Sequence, residues 1–232
     1  MNIEKLIKDG KIIVPATTTT AVIDPGTQMT LQELLQYAVP LETGEIIEPE
    51  VIEVGKSTEV KYTFVGRWRG REVTPLCDFE VDGTPITGKS FTKTLNPTQP
   101  GDLEITVKNT YNGFENVEKF KVVATYPSYF GAMECKIPTA EDIVKLESKL
   151  YGYKHIQKSG IVLQDQIYVY AYPKYMGELR TIKDFNGFCM FCHGLDGSCF
   201  QQTEVAINGI PYYVYYMDSP CTVRGYKFLF KA

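Results

Sequence analysis

Tyrosines are concentrated in two runs in the C-terminal part of the chain: QIYVYAYP at 166–173, where they alternate with aliphatic residues, and PYYVYYM at 211–217. Because successive side chains of a β-strand point to opposite faces, the first run predicts a strand with one aliphatic face and one aromatic, hydroxyl-bearing face. Such a face packs on the protein's own core, on a second copy, or on a ligand. We expect an exposed binding or interface face that includes Tyr170, Tyr172, Tyr213 and Tyr215.

Short runs of alternating polar and apolar residues fill the segment from about residue 48 to 125. Val60, Tyr62 and Phe64 belong to one run, and Ile105 and Val107 belong to another. About six short strands with almost no helical periodicity predict a β-sandwich. The dipeptides expected to form turns between strands are Asp82-Gly83, Asn112-Gly113 and, further along the chain, Asn208-Gly209.

Two helix starts interrupt the strand pattern. Thr30 and Glu33 have the spacing of a capping box and introduce a short helix whose apolar stripe is Leu31, Leu34 and Leu35. A helix this short needs a cover, either the next domain of the same chain or a partner, and we expect these leucines to anchor a partner.

The second helix start follows Pro138. Thr139 suits the N-cap position, and a buried stripe is predicted at Ile143, Leu146 and Leu150, with the helix ending at Gly152. One helix followed by several strands predicts an α+β layer in which the helix covers an antiparallel sheet.

These patterns predict a mainly β chain in three parts. Residues 1–44 are expected to form an N-terminal anchoring arm with a short helix, and residues 45–125 a β-sandwich. Residues 126–232 are expected to form a small, tyrosine-rich α+β domain with one helix on an antiparallel sheet. The YPSYFG segment at 126–131 supplies the boundary, since proline and glycine interrupt the strand pattern there.

Charge and hydropathy narrow the range of partners. The 232-residue chain has a formal net charge of −4 and a pI near 5.4, which argues against nucleic acid as a partner. No apolar stretch approaches the roughly 20 residues of a membrane-spanning helix, and the first residues lack the pattern of a signal peptide. We therefore expect synthesis in a cytoplasm and no membrane insertion.

A cysteine-rich loop raises two cofactor hypotheses. Cys189, Cys192 and His193 spell the C-x-x-C-H motif of haem attachment, which requires export. Together with Cys199 they are also weak candidates for a zinc site, but adjacent Cys192 and His193 seldom bind one tetrahedral ion and no second C-x-x-C follows. The favoured prediction is a reduced, glycine-rich loop without a cofactor or metal.

Catalytic motifs are lacking in the sequence. It contains no P-loop, G-x-G-x-x-G, H-E-x-x-H or G-x-S-x-G motif. The carboxylates that would serve a glycan depolymerase, such as Asp165, Glu178, Asp184 and Asp196, are scattered without a pattern that brings two together. The sequence thus favours a protein that is not an enzyme.

Two parts of the chain resemble known families. The stretch from EVGKSTEVKYTF to GDLEITVKN resembles the immunoglobulin-like domains of bacteria and phages. The pieces YPSYFGAM, PTAEDIVKLESKLY, IYVYAYPKYMGELRTIKDFNGF and GIPYYVYYMDSPCTVRGYKFLF look like the C-terminal domain of fibre and structural proteins of tailed, crAss-like phages of gut Bacteroidetes. In that family an immunoglobulin-like module commonly precedes this domain, and an N-terminal segment ties the protein to the virion.

The resemblance implies a structural virion protein, and we expect a head fibre or capsid-decorating fibre. Its expected partners are the major capsid protein or other virion proteins, further copies of itself as a dimer or trimer, and a host surface glycan if the fibre touches the host. A carbohydrate- or receptor-binding module of a tail fibre is the alternative, and a glycan depolymerase is third. A head fibre would copurify with capsids that lack tails, whereas an enzyme would shorten the host polysaccharide.

Overall fold

The chain is mainly β, as predicted. The computed structural model describes residues 7–8, 11–12, 41–134, 137–153, 156–179, 181–184 and 200–231. Helical structure in these ranges is confined to α1 (Ala140–Ile143) and two 3-10 turns, Thr74–Leu76 and Lys174–Met176. The strands are β1 Ile7–Lys8, β2 Lys11–Ile12, β3 Leu41–Glu48, β4 Val51–Glu53, β5 Thr58–Trp68, β6 Arg71–Glu72, β7 Asp78–Val81, β8 Thr84–Ile86, β9 Ser90–Leu95, β10 Gly101–Tyr111, β11 Phe114–Thr125, β12 Ser128–Met133, β13 Glu147–Lys149, β14 Ile156–Pro173, β15 Thr181–Asp184, β16 Phe200–Ile207, β17 Ile210–Met217 and β18 Cys221–Lys231.

The chain divides into two compact units that are discontinuous in sequence. The first comprises Met1–Glu48, Glu59–Lys93 and Glu104–Lys121. The second comprises Pro49–Thr58, Thr94–Leu103 and Val122–Ala232. The predicted domain limits at residues 44 and 125 stay predictions. None of the helices in the described ranges is both long enough and apolar enough to cross a membrane.

In the first unit, β5 carries the polar–apolar alternation that the sequence predicts. Val60, Tyr62 and Phe64 are buried, and β3 pairs antiparallel with β5 from Leu41↔Trp68 to Glu48↔Lys61. Strand β7 pairs with β8 and β10. The Asp82-Gly83 and Asn112-Gly113 turns are confirmed, because all four residues have φ between 50° and 79°, the left-handed conformation of tight hairpins.

In the second unit, the core lies on a seven-stranded sheet. Its order is β13-β12-β14-β17-β16, with β18 pairing with β14 and β15. Strand β14 contains the strand predicted at 166–173 and begins ten residues earlier, at Ile156. Its C-terminal half pairs with β12 and β17 and its N-terminal half with β18, with register shifts between Lys158 and Gln166. The predicted Asn208-Gly209 hairpin joins β16 to β17, with φ of 50° and 80°.

The predicted start of the helix after Pro138 is confirmed. The Thr139 hydroxyl accepts a hydrogen bond from the backbone N–H of Asp142 at 3.3 Å, and the Asp142 carboxylate accepts from the N–H of Thr139 at 3.2 Å. This is a capping box, which satisfies two backbone donors that the first turn leaves unpaired. Ile143, the first residue of the predicted stripe, is fully buried.

The predicted length of this helix is wrong. Helix α1 has one turn, and Glu147–Lys149 form β13 instead of continuing the helix to Gly152. Hydrogen bonds of i→i+3 type, Lys145 N to Asp142 O and Leu146 N to Ile143 O, tighten the last turn. The backbone then pairs with β12, so the open edge of the sheet provides the hydrogen bonds that further helical turns would have supplied.

Candidate functional site

The four tyrosines predicted to form an exposed aromatic face are buried. Tyr170, Tyr172 and Tyr215 have no exposed area, and Tyr213 retains 8%. The expectation of an exposed face at these residues is therefore wrong. The alternation did place Tyr170 and Tyr172 on one face of β14, and their rings lie 5.3 Å apart between centroids. The prediction did not include the residues that pack on this face of β14 and bury it.

Aromatic side chains of β18 provide part of this cover. The ring of Phe230 lies 4.6 Å from that of Tyr170, and the ring of Phe228 lies 5.3 Å from that of Tyr168, measured between centroids. Phe200 of β16 contacts Phe228 edge-on at 5.0 Å. Edge-on and offset arrangements of this kind are favourable for aromatic rings, so the cluster forms a packed core.

The segment after β14 covers the remaining tyrosines. The Tyr172 hydroxyl donates a hydrogen bond to the carbonyl of Gly177 at 2.7 Å, and the Tyr215 hydroxyl accepts one from the N–H of Leu179 at 3.1 Å. The two rings are stacked, with centroids 5.9 Å apart and an angle of 6°. The Tyr172 and Tyr215 hydroxyls, which were expected to face a ligand, thus satisfy buried backbone groups instead.

Burial raises the pKa of Tyr168, Tyr170, Tyr172 and Tyr212 well above the usual range for tyrosine. Below about pH 10 these side chains are neutral in both the folded and the unfolded chain. Above that pH only the unfolded chain ionises them, so the stability they provide is lost as the pH rises toward the raised pKa values of the folded state.

We expect alkaline unfolding to coincide with ionisation of the buried tyrosines. In a spectrophotometric titration of tyrosinate, one group of tyrosines should ionise near the normal pKa and a second group only as the far-ultraviolet circular dichroism is lost. The same titration in denaturant is the control, since every tyrosine should then ionise together. Ionisation of all the tyrosines in a chain that keeps its native dichroism would contradict the burial described above.

An exposed tyrosine of the second unit, Tyr153, belongs to a group at a different place, which we call the Tyr151 patch: Phe130, Lys149, Tyr151, Tyr153 and Lys158. Tyr153 is 61% exposed, and its ring lies 6.0 Å from that of Tyr151 between centroids, at an angle of 57°. The buried ring of Phe130 lies 6.3 Å from the Tyr151 ring and supports it. Tyr151 is half-buried, so the patch has a fixed ring and an exposed one.

Strand pairing brings Lys149 and Tyr151 close to Phe130. Strand β13 ends at Lys149, just before Tyr151, and pairs with β12, which carries Phe130. Lys158 lies in the first half of β14, where it pairs with Phe228 of β18, whereas β12 pairs with the second half of β14. Lys158 joins the patch through its side chain, which contacts the Phe130 ring.

Both lysines of the Tyr151 patch lie over aromatic rings. Lys158 Nζ is 3.4 Å from the centroid of the Phe130 ring, and Lys149 Nζ is 5.5 Å from that of Tyr151. Desolvation lowers the pKa of Lys158, and Glu147 opposes this effect. Burial raises the pKa of Tyr151. Partial removal of water makes the Lys158 ammonium costly unless a group of opposite charge compensates.

A second exposed cluster in this unit is already neutralised. Lys174 Nζ pairs with the Glu204 carboxylate at 2.5 Å and lies 5.3 Å from the centroid of the Tyr213 ring. The Glu178 carboxylate accepts a hydrogen bond from Gln202 at 3.4 Å. Because Lys174 already pairs with a carboxylate of the same chain, we expect this cluster to bind an external anion more weakly than the Tyr151 patch does.

Several predicted site residues lie outside the described ranges. These are the anchoring leucines Leu31, Leu34 and Leu35 and the weak metal candidates Cys189, Cys192, His193 and Cys199. Within the ranges that the structure does describe, no group of three or more His, Cys, Asp and Glu side chains is placed to hold a metal ion.

The Tyr151 patch was not predicted from the sequence because the residues before it were expected to be helical. The signal was present in Lys149-Leu150-Tyr151-Gly152-Tyr153, where one lysine and two tyrosines alternate with Leu150 and Gly152. This is a strand-type pattern. Interpreted in that way, it would have put Lys149, Tyr151 and Tyr153 on one side of the backbone.

Comparison with protein-family models, curated proteins and solved structures produced no match of any kind. The resemblance to phage fibre proteins and to immunoglobulin-like domains therefore stands on the residue patterns of this chain alone.

Proposed function

We propose that the chain is a non-enzymatic structural protein of a phage virion, most simply a head fibre or capsid-decorating fibre. The observation that carries this proposal is the packed aromatic core of the tyrosine-rich sheet, since the resemblance to phage fibre domains lies in the same residues. A protein exposed on a particle outside the cell must resist unfolding without chaperones. A core of stacked rings whose hydroxyls bond the backbone suits that demand.

The middle of the chain is proposed to be an immunoglobulin-like spacer. Within the first unit, the Phe64 ring of β5 lies 5.5 Å from the Phe79 ring of β7 and 6.0 Å from the Phe120 ring of β11. Strand β5 belongs to a four-stranded sheet, and β7 and β11 belong to a five-stranded one. Contact between the inner faces of two sheets supports a sandwich, the architecture of immunoglobulin-like domains.

The N-terminal residues are proposed to attach the fibre to the capsid and to its own copies through Leu31, Leu34 and Leu35. The test compares the full chain with a variant lacking residues 1–40, a cut that leaves β3 and its buried Leu41 intact. We expect the full chain to form a dimer or trimer by mass photometry and to sediment with tail-free capsids of the parent phage. The shortened chain should be monomeric and stay in the supernatant.

A triple variant with Leu31, Leu34 and Leu35 each changed to serine gives a matched control, because it keeps the chain length and removes only the apolar stripe. It should lose capsid binding while the circular dichroism and thermal unfolding remain those of the full chain. A full chain that is monomeric and does not sediment with capsids would refute the proposal of an anchored fibre.

A carbohydrate-binding module of a tail fibre is the second candidate. The half-buried ring of Tyr151 and the exposed ring of Tyr153 favour it, because sugars stack their apolar faces on aromatic rings. Binding of a sugar is also compatible with a head fibre that contacts the host.

A further inference from the structure

The Tyr151 patch offers two adjacent rings to a ligand. Tyr151 is held in place by Phe130 beneath it, with ring centroids 6.3 Å apart, and Tyr153 extends the aromatic surface by one ring. At 61% exposure Tyr153 is among the most exposed large apolar side chains described. Side chains with few rotatable bonds lose little entropy on binding, which makes such rings good contact surfaces.

The charges around the rings favour an anion. Lys149 and Lys158 both lie over rings, and among the described residues neither forms an ion pair with a carboxylate. Glu147 is the carboxylate whose charge raises the pKa of Lys158 against the effect of desolvation, so this part of the surface has two cations and one anion. An anionic group placed between the lysines would gain two charge-assisted contacts, one of them to a partly desolvated ammonium.

We propose that the Tyr151 patch binds an acidic polysaccharide, a chain of sugars that carry carboxylates such as uronic acids. The rings of Tyr151 and Tyr153 would stack on sugar faces, and Lys149 and Lys158 would bind the carboxylates. A single-stranded nucleic acid also combines stacking faces with negative charge, but proteins hold its backbone in a positively charged groove, and the Tyr151 patch provides two lysines beside its rings instead of such a groove. The proposal names a ligand for the second candidate function and rests on it.

The test measures binding to the purified full chain by isothermal titration calorimetry with three probes of equal length. These are tetragalacturonate, the neutral cellotetraose, and a thymidine tetranucleotide. We expect tetragalacturonate to bind at least about tenfold more tightly than either of the others, and its affinity to fall with added salt.

Substitutions in the patch assign the binding to its residues. Tyr153→Ala should weaken tetragalacturonate binding roughly tenfold, whereas Tyr153→Phe should retain most of it because the ring remains. Lys158→Met should weaken it by a similar factor, and Lys158→Arg should restore it. Lys56→Met, which removes an exposed lysine paired with Glu53 in the same unit, should have no effect.

Failure of tetragalacturonate to bind, or binding that Tyr153→Ala and Lys158→Met leave unchanged, would overturn the proposal. Equal affinity for cellotetraose would refute the role of the lysines. Tighter binding of the tetranucleotide would show that the ligand of the patch is a nucleic acid and not a polysaccharide. No capsid is used in this experiment and all its variants lie outside residues 1–40. Its failure is therefore distinguishable from failure of capsid attachment.

Discussion

Replacing Tyr170 by alanine is expected to lower the free energy of unfolding by about 3–5 kcal/mol. The side chain has no exposed area and lies between the rings of Phe230, at 4.6 Å, and Tyr172, at 5.3 Å, measured between centroids. Alanine would remove the apolar surface and leave a cavity that the surrounding rings fill only in part. Urea unfolding followed by far-ultraviolet circular dichroism measures the loss.

The matched control is Tyr153→Ala, the same substitution at an exposed position of the same unit. It should change the stability by no more than about 0.5 kcal/mol. A small loss at Tyr170 as well would mean that its ring is not part of the core, and would revive the exposed face that the sequence predicted. This pair of variants thus decides between core packing and an open interface at β14.

Replacing Gly66 by alanine is expected to destabilise the chain by about 1–3 kcal/mol. A Cβ atom at this position would lie 2.4 Å from Cys77 Sγ and 3.2 Å from Asn109 Nδ2. Neither neighbour moves away easily. The Cys77 thiol donates to the carbonyl of Val73 at 3.4 Å, and the fully buried Asn109 donates from Nδ2 to Thr43 Oγ1 at 3.1 Å.

Two further variants check this explanation. Gly44→Ala is the control, because its Cβ would meet the flexible end of Arg67 at 3.1 Å, and we expect a smaller loss. Adding Cys77→Ala to Gly66→Ala removes the sulfur that clashes, so the double variant should be more stable than the sum of the two single losses predicts. Strictly additive losses would show that the Cys77 sulfur is not the obstacle.

Local patterns predicted the elements whose cause is local. The Asn112-Gly113 and Asn208-Gly209 dipeptides adopt the positive φ that a tight turn requires, and β5 follows its polar–apolar alternation. The capping box at Thr139 is likewise a contact within one turn. In these cases the residues that decide the structure are neighbours in sequence.

Features that depend on distant residues were not predictable in the same way. Alternation identified which tyrosines of β14 share a face, but the phenylalanines of β18 that cover this face come much later in the chain. The helix after Thr139 stops early because β12 offers an edge to Glu147–Lys149, which no local propensity expresses. The candidate site was placed wrongly for the same reason. The tyrosines of β14 and β17 are buried by distant residues, and the candidate site is instead at Tyr151 and Tyr153, which follow a strand that was predicted to be helical.

Strand β14 has a mechanical consequence for a protein proposed to stand on a particle. It hydrogen-bonds to β18 through its first half and to β12 and β17 through its second. A pulling force applied at the end of β18 reaches β12 and β17 through the continuous backbone of β14, and not through side-chain contacts alone. Rupture would therefore begin by unzipping β18 from β14, while the half of the sheet that holds β12 and β17 stays closed.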